Sequence, residues 1–267
     1  MTHPLAQAER STDGGKPAAE LAPRALERAR RSRRRPRLTQ FDYLHLRCLV
    51  RDLAAALAEV PGPVADVLDV YCGSRPYDDL LPPDARCVGL DVEGNPYGVA
   101  DVVTNDFLPF GAESFDLVMC IEAFHYVKDP AHGVRELRRV LRPGGVVLVA
   151  VPLVWEYDRT ILEHRYTGPE LAALFAGWEN VQVVENGGRT VAWATLTGSL
   201  LRTAGARLPR VLRALLPAGY LGLNGFALLL DALERRYARG PTTLPINLLL
   251  TAHRPLDDER PDAKPLL

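Results

Sequence analysis

Three carboxylates stand where a chain of this pattern could hold a ligand rich in hydroxyl and amino groups. Asp69 sits in the apolar run Val67-Leu68-Asp69-Val70, and Asp91 closes a second run, Cys87-Val88-Gly89-Leu90. Asp106 comes after a third short stretch, Val99 to Val103. Asp91 lies 22 residues after Asp69, close to the ~20-residue spacing at which an acid ending the second strand of a βαβ unit holds ribose hydroxyls. A tight turn, Tyr71-Cys72-Gly73-Ser74, closes the first run, with Gly73 its one glycine. Each acid alone serves equally well as a turn or cap residue. Together on the carboxyl edge of one sheet they make a ligand site.

Proton-accepting chemistry, where an acceptor must lose a proton, has two main candidates in this chain, His125 and His164. Tyr157, Asp158 and Glu122 are weaker ones, and His132 reads as a surface residue. The four cysteines, Cys48, Cys72, Cys87 and Cys120, show neither a C-x-x-C pair nor metal-ligand spacing. Reduced, buried thiols in a cytoplasmic protein, and no metal site, are therefore expected.

The elements that must position these groups are set by periodicity. Leu44, Leu46, Leu49, Leu53, Leu57 and Val60 recur at near-helical spacing and predict an amphipathic helix that Pro61-Gly62-Pro63 stops. Strands are expected at about 65–70, 87–91, 99–103 and 115–120, with a short helix after the first turn closed by Pro82-Pro83. Asp129-Pro130 is an N-cap followed by proline at the first helical position, and Val134, Leu137, Val140 and Leu141 line one face of the helix it opens. After Pro143-Gly144-Gly145, Val146 to Val151 is a β-branched run suited to a central strand buried on both faces. Thr167-Gly168-Pro169-Glu170 is a capping box, Val181 to Val184 a further strand, and Ile246 to Ala252 a last one. Strands alternating with helices predict a Rossmann-like, doubly wound α/β fold. Its seven-stranded sheet is mostly parallel, with helices on both faces and a helical insertion before the last strand.

Composition bounds the rest. The chain of 267 residues is 47 % hydrophobic and 24 % charged with a formal net charge of −1; it can bury a full core, and its charge gives no footprint for nucleic acid. The start of the chain has no apolar core of a signal peptide. Residues 1–37 read as a disordered basic tail containing Arg30-Arg31-Ser32-Arg33-Arg34-Arg35-Pro36-Arg37, either solvated or an electrostatic tether. Residues 38–255 form the folded domain, with 186–245 as a helical insertion or lid, and 256–267 a second tail. Ala214 to Leu230 is uncharged and apolar but interrupted by Pro217, Gly219, Gly222, Asn224 and Gly225. It falls short of the ~20 apolar residues of a spanning helix, so it reads as a buried helical insertion that leaves peripheral membrane contact open.

The stretch from Val67 to Pro152 resembles the class I S-adenosylmethionine-dependent methyltransferases of the small-molecule type. Four phrases carry the resemblance: Val67-Leu68-Asp69 with Cys72-Gly73-Ser74; Gly89-Leu90-Asp91; Leu108-Pro109-Phe110 with Phe115-Asp116-Leu117-Val118; and Leu141-Arg142-Pro143-Gly144-Gly145 running into the next strand. A weaker match continues through Arg165-Tyr166-Thr167. The resemblance implies S-adenosyl-L-methionine as cofactor. Asp69, Tyr71, Cys72 and Gly73 would lie at its methionine part, Asp91 at the ribose, and Val92, Asp106 and Phe107 at the adenine. Cys120, Ile121 and Glu122 would line the sulfonium side. It also implies methyl transfer to a small-molecule or lipid-linked acceptor, with a hydroxyl oxygen expected because no metal constellation or reactive-cysteine motif is present.

Two departures from the family pattern stand out. Its turn reads Asp-x-Gly-x-Gly-x-Gly, and here Tyr71 and Arg75 replace the first and third glycines; Tyr71 is expected to pack beside the cofactor or partly block it. After the fourth strand the family's Glu-His-Val is His125-Tyr126-Val127, which displaces the histidine by one position. These departures keep open a second expectation, a non-catalytic methyltransferase-like binding or scaffold protein.

Overall fold

The computed structural model describes residues 23–104, 108–237 and 243–256. Seven strands form one sheet in the order β3-β2-β1-β4-β5-β7-β6. The strands are β1 Asp66–Val70, β2 Arg86–Asp91, β3 Val102–Val103, β4 Phe115–Ile121, β5 Leu141–Pro152, β6 Glu179–Asn186 and β7 Asn247–His253. The β1, β2, β3, β4 and β5 pairings are parallel, while β7 runs antiparallel to both β5 and β6. The chain leaves β1 toward β2 and β3 on one side and returns to β4 on the other. The order therefore reverses between β1 and β4, and ligands bind at such a point outside the strands' carboxyl ends.

Helices α1 Pro23–Arg34, α2 Tyr43–Ala58, α3 Pro130–Val140 and α4 Gly168–Leu174 surround the sheet. The insertion supplies α5 Arg189–Gly205, α6 Arg210–Arg213 and α7 Leu216–Tyr237. One face of the sheet buries Val134 and Leu137 of α3 with Leu171 and Phe175 around α4. The other face buries Leu49 and Leu53 of α2. Leu44 and Cys48, on the outer side of α2, pack with Val191, Ala194 and Ala227, so the insertion forms a third layer over α2. The start of α3 is as expected, with Asp129 accepting from the His132 backbone N–H at 2.9 Å. All four cysteines are free thiols.

Four expectations change. The helix after the first turn is only a single 3₁₀ turn, Asp78–Leu80, because Pro76 and Pro82-Pro83 leave no room for a helical hydrogen-bond ladder. The third strand shrinks to two residues. Pro143-Gly144-Gly145 lies inside β5, where a Cβ on Gly145 would meet the Arg142 carbonyl at 2.8 Å and that of Asp116 at 3.0 Å. Finally, the basic segment expected to be disordered up to residue 37 is helical from Pro23 to Arg34. Its arginines find partners on the domain: Arg30 Nε donates to the Ser74 carbonyl at 2.7 Å, and Arg34 pairs with Asp79. Residues 1–22 and 257–267, most of the two expected tails, lie outside the described residues.

Candidate active site

The turn after β1 is held in an unusual backbone. Tyr71, Gly73 and Arg75 all have positive φ, at 58°, 55° and 55°. These are the three positions at which the resembled family carries glycine. Side chains at two of them cost ~1–2 kcal/mol each in the left-handed region, so the surroundings must hold the turn in place. Arg75 is pinned three ways, by Asp78 at 2.9 Å, Asp101 at 2.6 Å and the Cys87 carbonyl at 2.9 Å. Tyr71 packs its ring against the core on the α3 side of the sheet. Cys72 N–H donates to the Leu90 carbonyl at 3.0 Å and Gly73 N–H to Asp91 Oδ2 at 2.8 Å, which fastens the turn to the end of β2.

Two cavities open at the carboxyl ends of β1 and β4. The smaller, about 90 Å³, is lined by Arg33, Asp69, Cys72, Gly73, Ser74 and Glu122, among others. The larger, about 300 Å³, runs between Leu90, Leu108, Cys120, Val127 and α3. Tyr71 lines both and stands between them.

The smaller cavity is polar and strongly charged. Asp69 Oδ2, Ser74 Oγ and Glu122 Oε1 are buried without a protein partner, a costly state unless a ligand or water satisfies them. Burial, reinforced by Asp78, pushes the Asp69 carboxyl up to about 8. Glu122 behaves oppositely. Burial works against its charge, yet His45, Arg33 and His125 hold its carboxyl below the usual range, with His45 Nε2 3.1 Å from Glu122 Oε2. Burial likewise opposes the Arg33 charge, but Tyr77 and Glu122 raise its guanidinium above the ordinary value. The wall therefore presents one cation and two carboxyls to the cavity.

The sequence-derived residues divide by position. Asp69, Tyr71, Cys72, Gly73, Ile121 and Glu122 line the smaller cavity, and Cys120 lines the larger. Asp91 is buried and spends its oxygens on its own loop, accepting from Gly73 N–H, Val92 N–H and Asn95 Nδ2 at 2.8, 2.8 and 2.5 Å. Asp106 and Phe107 lie outside the described residues. His125 is buried in the turn after β4 and its carbonyl accepts from the His164 N–H at 2.8 Å. The two histidines are thus joined through backbone, while the cavity linings come from other residues. The sequence does not single out two residues of the site. Arg33 is absorbed in a basic run. His45 sits on the buried face of α2, where its one signal is a polar residue among leucines at helical spacing.

The strand order, the turn and the cavity at the β1–β4 switch define the class I S-adenosylmethionine-dependent methyltransferase fold. Residues 68–149, about a third of the chain, match the family model described as a methyltransferase domain, which supports a class I S-adenosylmethionine-dependent methyltransferase. A ubiquinone biosynthesis O-methyltransferase of Pseudomonas paraeruginosa is 31 % identical over 99 residues, covering 32 % of this chain and 43 % of the relative. A 2-methyl-6-phytyl-1,4-hydroquinone methyltransferase of Synechocystis sp. is 29 % identical over 215 residues, covering 66 % and 64 %. The chain thus spans less than half the length of the first of these relatives. Among solved structures, the [4+2]-cyclase SpnF superposes with a TM-score of 0.52 at 19 % identity, over 80 % of this chain and 83 % of that one. That last likeness concerns the fold alone, and the cyclase's name shows that one fold carries different chemistries.

Proposed function

We propose that the protein is an S-adenosylmethionine-dependent methyltransferase acting on a hydroxyl oxygen of a small, hydrophobic or lipid-linked acceptor. One observation carries the cofactor half of this reading: the smaller cavity sets Arg33 against Asp69 and Glu122, with buried oxygens still lacking partners. An α-amino acid end bears a carboxylate and an ammonium, and this wall complements both. Arg33 would hold the carboxylate, and Asp69 and Glu122 the ammonium. When bound, the cofactor supplies a methyl group made electrophilic by a sulfonium. The protein's share is to position and desolvate the reactants. His45, Arg33 and His125 hold Glu122 ionised on the cavity wall, the state that pairs with an ammonium, and His164 fixes the His125 backbone. The oxygen is supported by the name of the first relative, an O-methyltransferase, and the hydrophobic character of the acceptor by the phytyl group in the name of the second and by the apolar insertion beside the site.

A second reading, a methyltransferase-like protein that binds a partner without catalysis, is favoured by one specific observation: Asp91 already accepts three hydrogen bonds from its own loop. Calorimetry with S-adenosylhomocysteine separates the two. Binding by the wild type, abolished in Asp91→Ala, is the expected outcome. That variant would strand the Gly73 and Val92 N–H groups, at about 1–3 kcal/mol for each group left unpaired. No binding to wild type at high micromolar ligand would end the enzyme reading.

A further inference from the structure

From Arg189 to Leu230 the chain contains five arginines and not one Asp or Glu, in a protein of net charge −1. This stretch is α5, α6 and most of α7. Its inner face is well anchored. Asn224 of α7 donates to the Leu38 and Gln40 carbonyls at 2.7 and 2.8 Å. Glu234 accepts from the Arg189 and Thr190 N–H groups at 3.0 and 2.9 Å, which caps the start of α5. The outer face is unlike an ordinary protein surface. Trp193, Leu196 and Leu200 form one exposed stripe on α5, and Phe226, Leu229 and Leu233 form another on α7. The stripes meet where Trp193 packs edge-on to Phe226, with centroids 6.5 Å apart.

The tip that joins the helices is exposed throughout, from Ala206 to Leu215. It presents Val211, Leu212 and Leu215, which are 79, 47 and 62 % exposed, interleaved with Arg207, Arg210 and Arg213. No ion pair engages these three arginines among the described residues. Arg213 instead donates to the Ala206 and Leu208 carbonyls at 2.7 and 3.3 Å, which keeps the tip folded. Arg210–Tyr237 is long and apolar enough to cross a membrane by length and composition. Its anchored inner face, with Asn224 and Asp231 buried, instead leaves it lying flat against the domain.

We infer that the outer face of α5–α7 docks on an anionic lipid bilayer. The apolar stripes and tip would enter the headgroup–acyl boundary while the arginines meet lipid phosphates, as expected of an interfacial amphipathic surface. Charge complementarity selects this occupant: an apolar tip that carries Arg207, Arg210 and Arg213, in a stretch from 189 to 230 with no acid of its own, suits anionic lipid better than a second copy of itself, whose arginines would oppose these. The face also adjoins the site. Glu156, in the loop after β5, pairs with Ser199 and Arg202 of α5. Trp155 next to it lies 4.8 Å, ring to ring, from His45, the partner of Glu122. An acceptor dissolved in the bilayer would thus arrive beside the cavity wall. The docking itself does not depend on methyl transfer.

Sedimentation of the full chain with phosphatidylcholine vesicles, with and without phosphatidylglycerol, tests it. The wild type should co-sediment with the anionic vesicles at low salt and release at high salt. Arg207→Gln with Arg210→Gln should lower the partition coefficient about thirtyfold. Val211→Glu with Leu215→Glu should remove binding while the melting curve and S-adenosylhomocysteine affinity stay at wild-type values, since these side chains touch nothing in the site. Wild type that fails to sediment, or variants that sediment like it, would overturn the inference. So would a dimer in analytical ultracentrifugation that the double glutamate variant splits, with vesicles ignored throughout.

Discussion

Replacing Tyr71 by glycine should tighten cofactor binding while weakening the fold. The side chain stands between a cavity of about 90 Å³ and one of about 300 Å³, and neither alone holds a ligand with both an adenosine and an amino acid end. For one ligand to occupy both, the ring must leave its place against the core. A tyrosine buries on the order of 200 Å². Losing half of that at ~25 cal/mol per Å² costs roughly 2.5 kcal/mol, a factor of about 60 in the population able to bind. Tyr71→Gly removes that cost, so affinity for S-adenosylhomocysteine should rise between about ten- and a hundredfold. Stability moves the other way. Relief of the left-handed residue, ~1–2 kcal/mol, is largely cancelled by the greater freedom of glycine in the unfolded chain, about 0.4–1 kcal/mol. The lost ring packing then leaves a net loss of roughly 2 kcal/mol. Calorimetry reads the first effect and thermal melting the second, with Tyr71→Phe as the control that keeps the ring. A folded Tyr71→Gly protein that binds no better than wild type would refute the partition, as would Tyr71→Phe binding as tightly as Tyr71→Gly.

The same geometry sets two further outcomes. The Asp69 carboxyl is raised from its usual 3.8 to about 8, so the folded state holds its proton more tightly than the unfolded chain does. Its contribution to stability is present in full below the ordinary carboxylate value and is lost as pH rises through about 8. Asp69→Asn should therefore melt progressively higher than wild type as pH increases across that window, and a constant difference would contradict it. Gly198 of α5 passes so close to the chain at Phe41 that a Cβ would lie 2.6 Å from the Phe41 carbonyl oxygen. Gly198→Ala should push α5 off the domain and cost about 1–3 kcal/mol, seen as a lowered melting midpoint; an unchanged midpoint would show that the contact gives way freely.

Much of the fold was legible because the central strands are apolar on both sides and leave few alternatives. Val146 to Val151 and Leu117 to Cys120 have no polar face to offer solvent, so they had to be interior strands, and Asp129-Pro130 fixes a helix start by its own chemistry. The acids Asp69 and Asp91 were legible for a similar reason, since each closes an apolar run at a spacing that a ligand edge explains. What Asp91 does there was not legible. Its bonds to Gly73, Val92 and Asn95 depend on a loop closing back over the strand end, and no periodicity encodes that. The short third strand and the missing helix after the turn were lost to propensity arguments that ignore how little chain the prolines leave.

The largest gap between sequence and site lies at the start of the chain, and its cause is electrostatic. A run of arginines has the same letters whether it is solvated or seated against carboxylates. Local pattern cannot distinguish the two, because the partners of α1 lie on the turn after β1, the 3₁₀ turn that follows it and the end of β4. Once Arg30 bonds the Ser74 carbonyl and Arg33 faces Glu122, α1 becomes a wall of the smaller cavity. It also supplies the one cation there. Arg33 joins His45 and His125, with His45 foremost, in holding the Glu122 carboxyl below its usual range against burial. Part of the charge balance of the cavity wall is thus set by a helix that, read from sequence alone, looked like a tail.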